Sequence, residues 1–483
     1  MMKPFKKRNI LTVLTGLLLM AGLTGCYHKE PRQEILKVYN WGDYIDEKVL
    51  EDFPKWYEEQ TGKHIRVIYQ TFDINEIMLT KIERGHEDYD VVCPSEYIIE
   101  RMLKKNILLP IDTDFGKTPN YISNLSPYIR KELNEVSQPG RSADQYAVGY
   151  MWGTAGILYN KRLATAEEAS TWGSLWNPHF KGQLLMKDSY RDAYGTAIIY
   201  AHRDELASGK LKVTDLMNNY SDEAIAIAEE LLKAMKPNIA GWEADFGKEM
   251  MTKGKIALNM TWSGDAVWAI EEAKAIGVDL DYVVPREGSN IWFDGWVIPK
   301  YSKNPKAASY FINYLCKPEV AMANMDAIGY VSAVATPEIL AAKIDTTLEE
   351  TVNLSYFFGP EARNVRVNPI QYPDSAVVAR CAMIHDSGKR TENVLEMWSH
   401  VKGDNLEAGI VVLIFVTIGG LIIYKIIIIL RKKERDRMQR MARRKRIKAT
   451  QKKLAEQKKL AAQKGVLQKG KNQLSKSQLR SLK

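Results

Sequence analysis

Cysteine is scarce in this chain, at four in 483 residues. With Cys26 set aside, Cys93, Cys316 and Cys381 remain. Three thiols allow one disulfide at most, and their spacing fits no metal motif, so buried free thiols are the expectation. The seven histidines fall at no ligand or triad spacing. No internal repeat is visible, and at this length the chain can hold two or three compact domains.

Net positive charge is confined to the two ends of the chain. The net charge is +9, but residues 1–26 carry +4 and residues 431–483 carry +18, so 27–430 carry −13. An acidic body between basic ends favours cationic ligands and argues against nucleic acid as its partner.

Long apolar runs are confined to the two ends. Ile10–Met20 follows Lys3, Lys6, Lys7 and Arg8 and leads to Leu23-Thr24-Gly25-Cys26. That is an export signal ending like the lipobox of bacterial lipoproteins, which implies lipidation of Cys26. Residues 409–430 form a second run of 22 residues. As a helix it would reach about 33 Å, enough to cross a bilayer, with Lys425 near the basic side. The basic tail, 431–483, is then expected in the cytoplasm and 27–408 outside it. Lipid headgroups or a partner protein are the expected contacts of that tail.

Between these ends the pattern is α/β. Expected elements include a strand at Ile65–Tyr69, a helix at Asn75–Arg84, a strand in "YDVVCPS", and a helix from Ser95, its cap, to about Lys105. A helix follows at Ser221–Met235 and a strand at Lys255–Met260. "WVIPKYSKNPKAASYFINYL" reads as a strand, a loop and a helix. Polar and aromatic residues cluster at strand ends, where open α/β sheets bind ligands.

Five stretches share one character: "VYNWGDYID" (38–46), "PSEY" (94–97), "KDSYRDAY" (187–194), "NMTWSGDAVW" (259–268) and "IWFDGWVIP" (291–299), with "IGY" (328–330) adding a ring. Each joins aromatic rings to carboxylates or hydroxyls. Singly, such residues belong to cores and turns more often than to sites. Together they suit an alkyl di- or polyammonium ion, whose methylenes want aromatic walls and whose charged ends want carboxylates. A sugar site would carry more Asn, Gln and Arg; a phosphate site would need basic residues and backbone nests.

In order, "YNWGDYI", "YDVVCPSEY", "YMWGTAGILYN", "SLWNPHFKGQLLMKD", "TWSGDA", "FDGWVIP" and "IGY" resemble the spermidine/putrescine-binding proteins, extracytoplasmic receptors of polyamine ABC transporters. The resemblance covers about 35–403. It implies a two-lobed type II periplasmic-binding fold with a hinge and central cleft, and an ABC permease as partner. Lobe 1 would comprise 34–149 and 293–344, and lobe 2 150–292 and 345–403. Carried over motif by motif, Trp41, Tyr44, Ser95, Tyr97, Asp294 and Tyr330 would line the first lobe. Asp192, Trp262 and Asp265 would face them, with Trp292 near the crossover; Asp188 is the alternative to Asp192. Asp265, taking one ammonium of a short diamine, would favour putrescine over spermidine. No metal or other cofactor is implied. The family pattern gives no clear late polar contact in 370–390, where Gln371 is the candidate, and does not include the C-terminal apolar run or basic tail. An iron(III) receptor of this fold would want adjacent tyrosines, which the chain lacks. The enzyme alternative is a lipoprotein hydrolase using Asp188 and Asp192 as paired carboxylates; a purely structural lipoprotein is another.

Overall fold

The computed structural model describes residues 31–244, 246–403 and 416–433. Cys26, residues 409–415 of the expected membrane span and most of the basic tail lie outside these ranges. Residues 416–433 are helical, and their apolar side chains, Val416 to Leu430, are exposed. Among the described residues, however, no helix is long and apolar enough to cross a membrane, so the expected transmembrane helix is not seen.

The body is organised by one mixed sheet. Strand β1 (Ile35–Trp41) leads through helix α1 (Glu47–Thr61) to β2 (Arg66–Phe72), then helix α2 (Asn75–Glu83), β3 (Val91–Val92) and helix α3 (Glu96–Lys104). The long strand β4 (Ala147–Asn160) follows. After it come β5 (Leu184–Lys187), α4 (Tyr190–Ala201), β6 (Ile239–Glu243), β7 (Leu258–Trp262), α5 (Ser263–Ala275), β8 (Ser289–Pro299) and α6 (Pro318–Ile328). The sheet order is β2-β1-β3-β8-β4-β7-β5-β6. β1 pairs in parallel with β2 and β3, and β5 with β6 and β7; β8 and β4 run antiparallel to each other at the centre.

Among the described residues three buried clusters meet the central strands, the third through Leu158 of β4 with Leu185 and α5. β4 is buried along its whole length, the signature of a strand covered on both faces. Its Ala147–Trp152 portion enters the first core and Ala155, Ile157 and Tyr159 enter the second. The two lobes therefore share a strand. Leu354, Phe357, Val367 and Tyr372 pack in the first core, where Phe357 stacks on Trp152 with ring centroids 5.0 Å apart. Of 345–403, the last part, with Ile384, Val394 and Trp398, joins the second core.

Local chemistry explains the element ends near the sheet centre. Asp46 caps α1 by accepting from the Lys48 N–H at 2.9 Å, and Asp43 turns the chain at φ 50°. α6 opens on Pro318 and closes on Gly329 at φ 79°, which delivers Tyr330 to the sheet. At the second residue of α5, Gly264 lies against the Tyr330 ring, and an added Cβ would be driven into it.

That contact gives a first prediction. Gly264→Ala should force the Tyr330 ring off α5 and lower stability by about 1–3 kcal/mol, the scale of overpacking a core. Denaturant unfolding checks it; an unchanged midpoint would mean that the ring has room to move.

Candidate functional site

Asp294 stands where β8 is irregular. Its register against β4 shifts between Asp294 and Gly295, a bulge that re-aims a side chain. The carboxylate is 6% exposed and accepts from Ser95 Oγ at 2.7 Å and from Tyr44 Oη at 2.9 Å. Ser95 occupies the N-cap position of α3, yet its hydroxyl makes no cap bond; it is turned to Asp294 instead. The expected cap is thus corrected. Helix-start stabilisation of about 1 kcal/mol is forgone to hold a carboxylate.

Burial raises the Asp294 pKa to about 6, while hydrogen bonds from Ser95 and Tyr44 pull the other way. Burial and the Asp294 charge push Glu96 well above the carboxylate range, favouring its neutral form.

A line of rings leads away from it. Tyr44 meets Tyr330 edge-on with centroids 5.4 Å apart, Tyr330 meets Trp292 at 5.5 Å, and Trp292 meets Trp262 at 6.4 Å. Tyr330 Oη donates to Asp265 Oδ1 at 2.9 Å, joining the first core to α5. Gln371 Nε2 donates to the Gly329 carbonyl at 3.2 Å, bracing the segment that carries Tyr330. Asp192, on α4, accepts from Asn290 Nδ2 at 3.0 Å. Its pKa is raised by burial against hydrogen bonds from Ser189, Asn290 and Trp262. Asp192 is buried whereas Asp188 is exposed.

The structure thus gathers Tyr44, Ser95, Asp192, Trp262, Asp265, Trp292, Asp294 and Tyr330 about the junction of the lobes. Two expected residues stand differently. Trp41 packs its ring on Phe72, centroids 4.5 Å apart. Tyr97 is linked through Asn75, whose Nδ2 donates to both Ser95 Oγ at 3.0 Å and Tyr97 Oη at 2.9 Å. The Tyr97 ring is covered by the Arg191 guanidinium, 4.0 Å from its centroid. Arg191 also pairs with Glu76 at 3.4 Å, and Tyr190 donates to Glu76 at 2.8 Å, so this corner ties α2 to α4.

Asp265 also differs from its expected role as an open carboxylate. Its Oδ2 pairs with Lys187 Nζ at 2.7 Å, and Tyr330 takes its Oδ1. The sequence reading missed Lys187, together with Asn75 and Asn290. The one available signal was its place at the end of the run Leu184-Leu185-Met186-Lys187, all four of which are buried.

Comparison with known proteins fits this geometry. The profile of the bacterial extracellular solute-binding proteins matches residues 55–345. The spermidine/putrescine-binding periplasmic protein of Escherichia coli K12 is 30% identical over 368 residues, covering 76% of this chain and 91% of that protein. The putrescine-binding periplasmic protein PotF of the same strain is 29% identical over 408 residues, covering 80% and 97%. The solved substrate-binding protein PotD of a Streptococcus pneumoniae spermidine/putrescine ABC transporter is 30% identical, with a TM-score of 0.56 over 76% of this chain and 100% of that one. It shares the two-lobed periplasmic-binding fold with its mixed α/β sheet. The chain belongs to the bacterial extracellular solute-binding proteins, where its relatives are the spermidine/putrescine-binding receptors.

Proposed function

We propose that this chain is the extracytoplasmic receptor of an ABC transporter, capturing polyamines between its lobes and handing them to a permease without chemical change. The observation that carries this reading is Asp294, a buried carboxylate bounded by hydroxyls and a line of rings. A ligand ammonium there would offset the cost of its burial through charge-assisted hydrogen bonds. Methylenes would lie along Trp262 and Trp292, and each well-placed ring would add about 0.5–2 kcal/mol of cation–π attraction. Asp192 is the partner for a second ammonium. Trp41 and Tyr97 would act from behind, holding the strand end and the α3 start.

Putrescine is the favoured ligand over spermidine. In support, both carboxylate oxygens of Asp265 are engaged, which shortens the stretch open to charged groups, and the relative PotF is named as putrescine-binding.

The same reading keeps the receptor at the outer face of the cytoplasmic membrane, with Cys26 acylated, 409–430 crossing the bilayer and 431–483 inside. One acyl chain holds a protein only marginally, so the helix would decide the location. The exposed apolar side chains of 416–430 support this part. Protease added outside spheroplasts should remove the receptor and spare the tail; digestion of both would refute the topology.

Calorimetry with putrescine tests the ligand. Trp262→Ala and Asp294→Asn should each weaken binding by about 1–3 kcal/mol; unchanged affinity in both would reject the site. Asp294→Asn should also raise the melting temperature of the ligand-free protein. Its folded pKa, about 6, exceeds the ordinary 3.8, so ionisation above that pH opposes folding by about 3 kcal/mol at most. By the same sign, the stability advantage of Asp294→Asn over the native ligand-free protein should shrink as pH falls from 6 towards 4. Putrescine affinity should fall over that range, as protons compete for the carboxylate; constant affinity from pH 7 to 5 would contradict the assignment of Asp294.

A further inference from the structure

Lys187 is a charged side chain that the proposed ligand contacts leave unused. It closes β5, its side chain is 2% exposed, and its ammonium is fully surrounded. Nζ donates to Asp265 Oδ2 at 2.7 Å and to the Ala244 carbonyl at 2.7 Å, and lies 3.2 Å from Glu243 Oε1. It also stands over the Trp262 ring, 4.4 Å from the centroid. A carboxylate, a carbonyl and an indole face around one primary ammonium make up the set a terminal amine of an alkyl polyamine would seek. Here the set is satisfied from within the chain.

We propose that Lys187 is a built-in ammonium that fills the second-lobe end of the cleft and so sets the length of ligand admitted. The inference rests on the polyamine reading above and deepens it. With Lys187 in place, Asp265 gives one oxygen to the lysine and one to Tyr330. A free amine arriving there would have to displace Lys187 from Asp265 and place a second cation against it, leaving the lysine to Glu243 and the Ala244 carbonyl, which is unfavourable. Ligand ammoniums are then left to Asp294 and Asp192. A third amine finds Asp265 already engaged.

A structural role alone makes a different forecast. If Lys187 only neutralises Glu243 and Asp265 to keep β5, β6 and α5 together, its removal would lower stability and weaken every amine alike. The discriminating readout is therefore a ratio of affinities.

Calorimetry on the full chain with putrescine and with spermidine provides it. The native protein should prefer putrescine. Lys187→Ala frees Asp265 and leaves the space of the lysine stem, so the spermidine-to-putrescine affinity ratio should rise at least tenfold. Because that variant leaves two carboxylates without their cation, Lys187→Ala combined with Glu243→Gln keeps only Asp265 charged and should show the same rise. A ratio within twofold of native in a cooperatively melting variant overturns the proposal. So does failure of both variants to fold, which would make Lys187 structural, and so does a native preference for spermidine. If the native protein binds neither amine, the polyamine reading itself has failed; native binding with an unmoved ratio overturns Lys187 alone.

Discussion

Much of this architecture follows from holding one carboxylate, Asp294, in the interior at the junction of two lobes. A buried charge must be hydrogen-bonded or matched, and the chain bends several local rules to supply that. β8 breaks register beside Asp294, Ser95 abandons its helix cap, and Tyr44 reaches over from the turn after β1. These departures converge on one group. Consistency lost at the local level is typical of a place where function overrides stability.

The lobes are joined by two kinds of contact. The central strands β4 and β8 are long and deeply buried, so they form a fixed spine. Around it lie polar contacts between elements of the two halves. Glu76 meets Tyr190 and Arg191, Tyr330 meets Asp265, and Arg101 pairs with Asp386 at 2.6 Å. Contacts of this kind add little net stability because desolvation offsets the attraction, yet they are directional and break without exposing a core. Such a division of labour suits a receptor whose halves must meet around a ligand and part again.

How far the sequence disclosed this depended on whether a residue's partner was local. The α/β order, the capped helix after Ser221 and the strand ends followed by Tyr44 and Ser95 come from short-range patterns, and the structure has them; Asp294 lies instead within β8. Residues of similar appearance in one short stretch parted company, because only three-dimensional context separates them. In "VYNWGDYID", Tyr44 turns to Asp294, Asp46 caps α1, and Asp43 sits in a left-handed turn. Lys187 was invisible since a lysine ending an apolar strand ordinarily turns to solvent; Glu243 and Asp265, which draw it inward, lie 56 and 78 residues away. The packing of 352–372 against the first core is equally non-local. It depends on Phe357 stacking on Trp152, about which no nearby residue is informative.

The most direct test is a crystal structure of the protein grown with putrescine. One ammonium nitrogen should lie about 2.7–2.9 Å from the Asp294 carboxylate, the usual length for such charge-assisted bonds, with the methylenes against Trp262 and Trp292 and the Lys187–Asp265 pair intact. A diamine seated away from Asp294, or one that displaces Lys187 from Asp265, would contradict the account.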